Sequence, residues 1–323
     1  MLNPIDHLGG RHKGADIDHG RLQMAIRLAE NFRAVFYAPF YGCLALGFFD
    51  RAGLDIELVN SPSPGVALDW LSADRVDIVW SGPQRAIKHA LESHPEESRL
   101  KCFGEVAAKD PFYLVARPSL VQDFNLNRLK DMQVSVVSEV PTPWFCLQKD
   151  LLDNGIDPTS LSIVRGLTMA DQLLLLERAE LDVIQVFEPY VQQALDAGVG
   201  QIVFAAADRG WTAYTTLMST QQKIDQYRDQ FETMGSALQD FSNWLNQSGV
   251  EQLVDVVKSF YPDISASILL KGLTRYLNVG LWSLRPTVSR EGYNRLLESM
   301  LTSHTIARAV PYEQVVADFA REN

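Results

Sequence analysis

FRAVFYAPFYGCLALGFFDRAGLDIELV, residues 32–59, contains the pattern that decides the fold. Its first part carries no charge, but that part is too short to span a bilayer and is interrupted by proline and glycine. Pro39 suits the first turn of a helix, and Gly53 suits the position just past its end. Residues 54–59 then alternate apolar and acidic side chains, as a half-buried strand does, and residues 22–28 predict a strand upstream. The stretch therefore predicts a unit of strand, aromatic-rich loop, buried helix, glycine turn and strand.

The rest of the chain continues this alternation of short apolar segments with helical ones. Such alternation is typical of parallel sheets covered by helices on both faces, so the predicted class is α/β. Residues 112–117 and 211–219 are predicted to carry the chain into a second lobe and back. We therefore predict lobe I from residues 21–110 and 212–323, including the C-terminal helices, and lobe II from residues 111–211.

The opening unit resembles the start of the first lobe in the SsuA/THI5-like branch of the type II periplasmic binding proteins. The residues that carry the resemblance are Ala45, Gly47, Phe48, Phe49, Gly53, Leu54 and Asp55. A second similarity lies at residues 182–190, which contain FEPY. The resemblance implies a two-lobed fold in which each lobe is a mostly parallel sheet flanked by helices. It also implies a ligand cleft between the lobes.

Composition limits the function classes. The chain has 323 residues, of which 46% are hydrophobic, so it can bury a sizeable core. It carries 29 Lys and Arg against 40 Asp and Glu, and the net charge of −11 without a basic block disfavours nucleic-acid binding. The three cysteines, Cys43, Cys102 and Cys146, are far apart and form no disulfide or zinc pattern. No metal and no cofactor are predicted.

The first twenty residues are polar and contain repeated glycine and histidine. They lack an apolar segment of the kind a secretory signal needs, and they predict a disordered leader. The expected location is cytoplasmic if Met1 is the true start. It is periplasmic or extracellular if an export signal has been removed. No membrane span is predicted.

Three predicted strand ends share one design. Each is followed by a helix with proline near its start, at residues 81–83, 141–143 and 188–190. Such helix starts direct free N–H groups at the ends of the strands, where anions or polar acceptors bind. The alternative is ordinary capping by Ser81 and Thr142.

Aromatic and charged residues accumulate at the same strand ends. Rings stacked in a cleft favour a flat, conjugated ligand, and Phe36 and Phe187 are the rings most expected in the core instead. Arg33 would bind an anionic group or remain solvated. Glu188 would accept a hydrogen bond from the ligand or cap its own helix, and its charge would repel an anion placed beside it. The predicted ligand-binding residues are Asn31, Arg33, Tyr37, Trp80, Ser81, Gly82, Thr142, Trp144, Glu188 and Tyr190.

The resemblance implies a solute-binding protein that closes two lobes on a small aromatic or heterocyclic ligand, similar to a thiamine-precursor pyrimidine or a sulfonate. An ABC permease would be its partner if the protein is exported.

The alternative is an enzyme of the same fold. Fungal pyrimidine-phosphate synthases resemble the chain, but they use a Lys and a His where this sequence has Ser81 and Arg85. Their cysteine-rich segment corresponds to residues 211–218, which contain no cysteine. An aromatic sulfinate desulfinase of this fold needs a cysteine in the first loop, whereas Cys43 lies within the predicted helix. An aromatic-acid decarboxylase and a cytoplasmic sensor are further alternatives.

Overall fold

The computed structural model describes residues 25–92, 100–282 and 287–319. The predicted leader at residues 1–20 lies outside this part of the chain. The strands of the described residues are β1 (Ile26–Glu30), β2 (Ile56–Asn60), β3 (Ile78–Ser81), β4 (Leu100–Ala107), β5 (Tyr113–Ala116), β6 (Gln133–Ser135), β7 (Ser162–Val164), β8 (Val183–Val186), β9 (Gln201–Ala205) and β10 (Thr215–Thr220).

The strands form two five-stranded sheets, with the orders β2-β1-β3-β10-β4 and β7-β6-β8-β5-β9. In the first sheet β1 pairs in parallel with β2 and β3, and in the second β6 pairs in parallel with β7 and β8. The strands next to each crossing, β10 and β5, run antiparallel to their neighbours. The predicted two-lobed α/β fold is confirmed.

The helices of the described residues are α1 (Ala38–Ala45), α2 (Phe48–Arg51), α3 (Pro64–Ser72), α4 (Gln84–Glu92), α5 (Thr142–Asp153), α6 (Met169–Glu177), α7 (Tyr190–Asp196), α8 (Gln221–Gln226), α9 (Arg228–Val257), α10 (Ala266–Asn278), α11 (Arg290–Thr302) and α12 (Tyr312–Val315). The single buried helix predicted after the first strand is two helices, α1 and α2. Gly47 separates them with a φ of 68°, a left-handed conformation that glycine adopts without a steric penalty. None of the helices in the described ranges is long and apolar enough to cross a membrane.

The two chain crossings lie side by side between the lobes. The Thr212 amide donates to the Ala108 carbonyl at 2.8 Å, and the Ala206 amide donates to the Phe112 carbonyl at 3.0 Å. Two of the C-terminal helices contact both lobes: α10 packs against α9 and α7, and α11 packs against α4 and α5. The assignment of these helices to lobe I therefore stays a prediction.

Helix α1 packs closely on α9 because Gly42 has no side chain. A Cβ at this position would lie 2.7 Å from Cε2 and Cζ of the buried Phe241 ring. We expect Gly42→Ala to lower the free energy of unfolding by about 1–3 kcal/mol, since the ring has little room to move. Urea denaturation measures this change.

Gly65→Ala is the matched control, because the nearest atom to its Cβ would be Ser63 Oγ at 3.9 Å. Alanine is also the better helix former in α3, so no loss of stability is expected. An equal loss in the two variants would contradict the close packing of α1 on α9.

Candidate functional site

A cavity of about 890 Å³ lies between the lobes, and we call it the outer cavity. Its lobe I wall is formed by residues 30–34 after β1 and 60–64 after β2, together with residues 260–264 after α9. Its lobe II wall is formed by residues 139–140 and 187–190, the latter following β8. The cavity thus sits at the carboxyl ends of parallel strands from both sheets, where α/β proteins usually bind ligands.

A second cavity of about 30 Å³ adjoins the outer cavity, and we call it the inner pocket. It shares Asn31, Phe32, Pro64 and Val140 with the outer cavity, so the two spaces are adjacent. The predicted residues Tyr37, Trp80, Ser81, Gly82 and Thr142 line it.

Aromatic stacking fixes the wall of the inner pocket. The rings of Tyr37 and Trp80 are stacked with centroids 4.7 Å apart, and Phe40 meets the edge of the same indole at 4.9 Å. Trp80 is fully buried and Tyr37 nearly so. Burial raises the pKa of Tyr37 well above its usual range, which keeps the phenol neutral. The wall is therefore rigid and largely apolar.

Four residues that line the inner pocket each carry a buried polar atom without a hydrogen-bond partner among the described residues. These atoms are Asn31 Oδ1, Trp80 Nε1, Ser81 Oγ and Gln84 Oε1. Buried polar groups are normally paired, and each unpaired one costs about 1–3 kcal/mol. Four such residues around one small cavity make the inner pocket a candidate site for a polar ligand group.

Gly82 leaves room for the Gln84 side chain where β3 turns into α4. A Cβ at this position would lie 2.0 Å from Gln84 Oε1, so a larger residue would displace the Gln84 amide from the pocket.

Arg33 lines the outer cavity, and its guanidinium is held in place by groups of lobe I. Its guanidinium donates to the buried Glu30 carboxylate, which also accepts from the Tyr41 hydroxyl at 2.5 Å. The guanidinium carbon lies 5.6 Å from the centroid of the Tyr41 ring and 5.9 Å from that of Phe260. The hydrogen bond that Arg33 donates to Glu30 raises the pKa of Arg33. The charge of Arg33 is therefore already balanced within lobe I.

Glu188 follows β8 and lines the outer cavity, but its carboxylate is already bound by protein groups. It accepts from the guanidinium of Arg275 and, at 3.0 Å, from the backbone amide of Gln192. The side chain is 1% exposed. Of the two roles left open by the sequence, the geometry matches helix capping. Tyr190 is half-buried and lines the outer cavity as predicted.

Trp144 lines neither the outer cavity nor the inner pocket, so the structure does not support its prediction as a cleft residue. Its ring packs against the lobe II core, with the Arg165 guanidinium 4.6 Å from the ring centroid. Thr142, at the start of α5, lines the inner pocket. Trp144 lies two residues further along the helix and therefore on nearly the opposite face. Phe36 is fully buried as expected, whereas Phe187, although 7% exposed, lines the outer cavity.

The geometry of the cleft agrees with comparisons to known proteins. The NMT1-like family matches residues 32–257, which is more than half of the chain. The chain belongs to the NMT1-like family. Its relative in Bacillus subtilis (strain 168), named "Putative binding protein YtlA", is 22% identical over 293 residues, covering 90% of this chain and 87% of that protein.

Solved structures share the fold of this NMT1-like protein. The ligand-binding component of an ABC-type import system from Staphylococcus aureus, solved with zinc bound, has a TM-score of 0.71 and 16% identity, covering 91% of this chain and 97% of the other. The periplasmic aliphatic sulphonate binding protein SsuA from Escherichia coli has a TM-score of 0.67 and 15% identity, covering 90% and 97%. These similarities support the periplasmic-binding fold in both lobes.

Several lining residues of the NMT1-like chain were not predicted from the sequence. Gln84 and Arg85 in α4 line the inner pocket, together with Thr215 in the second crossing. The segment 260–264 after α9 lines the outer cavity. Gln84 and Arg85 directly follow the predicted 81–83 motif, which could have indicated them. Residues 260–264 carry no local signal, because they reach the cleft only through the packing of α9 on α1.

Neither cysteine chemistry nor a metal centre is apparent in the described part of the NMT1-like chain. Cys43 is fully buried in α1, and its thiol points to the Ala237 carbonyl at 3.8 Å. Burial raises the pKa of this thiol well above its usual range, so the nucleophilic thiolate is disfavoured. The described residues contain no group of three or more His, Cys, Asp or Glu that could hold a metal ion.

Proposed function

We propose that this protein is the ligand-binding component of an ABC-type import system and closes its lobes on a small aromatic or heterocyclic solute. The observation that carries the proposal is the outer cavity of about 890 Å³ between two lobes joined by paired crossings. Cavities of roughly 300–1,000 Å³ are typical of small-molecule sites. The relatives described as ligand-binding or sulphonate-binding proteins support this role.

The walls of the outer cavity suit a flat ligand. Phe32 and Phe260 of lobe I and Tyr190 of lobe II are half-buried and line it from opposite sides. Rings that approach from two lobes can enclose a planar group on both faces. Closure about the two crossings would bring these faces together and exclude water.

Native mass spectrometry of protein purified without added ligand tests the proposal. We expect a bound small molecule that is released unchanged on denaturation. A mixture of a compound and its chemically altered product would favour the enzyme alternative. A protein that carries nothing and shows no thermal shift with pyrimidines, aromatic acids or sulfonates would contradict the proposal.

A pair of aromatic variants locates the site. We expect Tyr190→Ala to lower the ligand-bound fraction at least about tenfold, because a buried stacking ring is worth roughly 0.5–1.5 kcal/mol beyond its apolar area. Trp144→Ala removes a ring of the same lobe that lines neither cavity, so its ligand-bound fraction should equal that of the wild type. The reverse pattern would move the site to the Trp144 side of α5.

A further inference from the structure

Arg85 differs from the other cations at the cleft because no carboxylate balances it. The arginine lies in the first turn of α4, is half-buried and lines the inner pocket. No Asp or Glu in the described ranges forms an ion pair with it, whereas Arg33 pairs with Glu30 and Arg275 pairs with Glu188. Burial lowers the pKa of Arg85, and no neighbouring charge offsets that effect. The inner pocket thus holds a partly desolvated positive charge.

The polar atoms beside Arg85 complete a site for an acceptor group. Trp80 Nε1 can only donate, and the Ser81 hydroxyl can donate or accept. Trp80, Ser81 and Gln84 are each at most 5% exposed. The amides of Asn31 and Gln84 can present either oxygen or N–H₂ to the pocket after a half turn.

The carboxylates nearest the cleft do not oppose an anion in the inner pocket. Glu30 and Glu188 are each neutralised by an arginine. The exposed acids Glu139 and Asp263 line the outer cavity and form no ion pair with a described residue. The sequence suggested that the charge of Glu188 would repel an anionic ligand. Because Arg275 neutralises that charge, this argument against an anionic ligand does not apply. The inner pocket therefore carries a positive charge, whereas Glu139 and Asp263 give the outer cavity negative charge.

We propose that Arg85 and Trp80 bind a compact anionic head group of the ligand, a sulfonate or a carboxylate, in the inner pocket. The inference rests on the proposed solute-binding function and adds the charge and orientation of the solute. The inner pocket, at about 30 Å³, admits a head group and no ring. The ring of the ligand lies in the outer cavity, and its far end, which faces Glu139 and Asp263, is neutral or basic.

Matched probes and variants test this arrangement by isothermal titration calorimetry. The probes are benzenesulfonate against benzenesulfonamide and benzoate against benzamide, which differ in charge at nearly constant shape. We expect Arg85→Gln to weaken binding of the two anions about 10- to 100-fold and to leave the neutral probes unchanged. Arg85→Lys, which keeps the charge, should restore part of the lost affinity.

Lys88→Gln is the control, because it removes one positive charge from α4 at a half-buried residue that lines neither cavity. It should bind all four probes as the wild type does. Circular dichroism melts of each variant check that folding is retained.

Three outcomes would overturn the anion site. They are anion affinity that survives Arg85→Gln, neutral probes that bind as tightly as the anions, and a co-purified solute without an anionic group. In each of these cases binding in the cleft would still stand. If none of the four probes binds, no solute co-purifies and no pyrimidine gives a thermal shift, both the anion site and the proposed function fail.

Discussion

Arg209→Met is expected to lower the free energy of unfolding by about 3–5 kcal/mol, because it leaves a buried carboxylate without its cation. The Arg209 guanidinium donates to Asp110 Oδ2 at 2.6 Å and to Asp150 Oδ2 at 2.5 Å. The Asp110 side chain is 0% exposed and that of Arg209 is 8% exposed. Asp110 belongs to the first crossing, Arg209 to the segment before the second, and Asp150 to α5. The cluster therefore ties both crossings to lobe II.

Urea denaturation followed by circular dichroism measures the change. Lys149→Met on the same helix is the control, because Lys149 pairs with the 58% exposed Asp153, and such pairs contribute at most about 1 kcal/mol. Adding Asp110→Asn to Arg209→Met should recover part of the loss, since the buried charge is then gone and the Phe112 amide keeps an acceptor. Similar losses of stability in Arg209→Met and Lys149→Met would contradict a stabilising role for the cluster around Arg209.

Arg275→Met is expected to lower the free energy of unfolding by a similar amount, about 3–5 kcal/mol, because it too leaves a buried carboxylate without its cation. Its guanidinium contacts the buried carboxylate of Glu188, and its second nitrogen donates to Gln192 Oε1 at 2.7 Å. Burial raises the pKa of Glu188 and the charge of Arg275 opposes that rise, so the carboxylate depends on this single cation. The contact joins α10 to the start of α7.

A double-mutant cycle separates this structural role from ligand binding. Glu188→Gln alone keeps an acceptor for the Gln192 amide, and the double variant with Arg275→Met should be more stable than Arg275→Met alone. The ligand-bound fraction of Glu188→Gln should equal that of the wild type in native mass spectrometry. Loss of ligand from a folded Glu188→Gln protein would instead make Glu188 a direct ligand contact, as the sequence alone had suggested.

Local patterns in the sequence were sufficient for the fold and for part of the cleft. The opening unit was predicted because proline, glycine and the alternation of residues 54–59 act over a few residues. Tyr37, Trp80 and Tyr190 were placed at the cleft because each lies at or after a strand end, and parallel strands end at one edge of a sheet. The helix break at Gly47 was missed because a glycine can also lie inside a helix, as Gly42 does in α1.

The tertiary structure alone decided which polar groups remain available to a ligand. Glu188 binds Arg275, which is 87 positions away in the sequence. Trp144 packs against the lobe II core because α5 presents Thr142 to the cleft. Arg85 became a candidate only when the neighbouring elements proved to offer it no carboxylate. A side chain's type and its place at a strand end follow from local sequence, because backbone geometry is local. Its charge partner is set by packing between distant segments, and so the chemistry of this cleft was fixed only when both lobes were assembled.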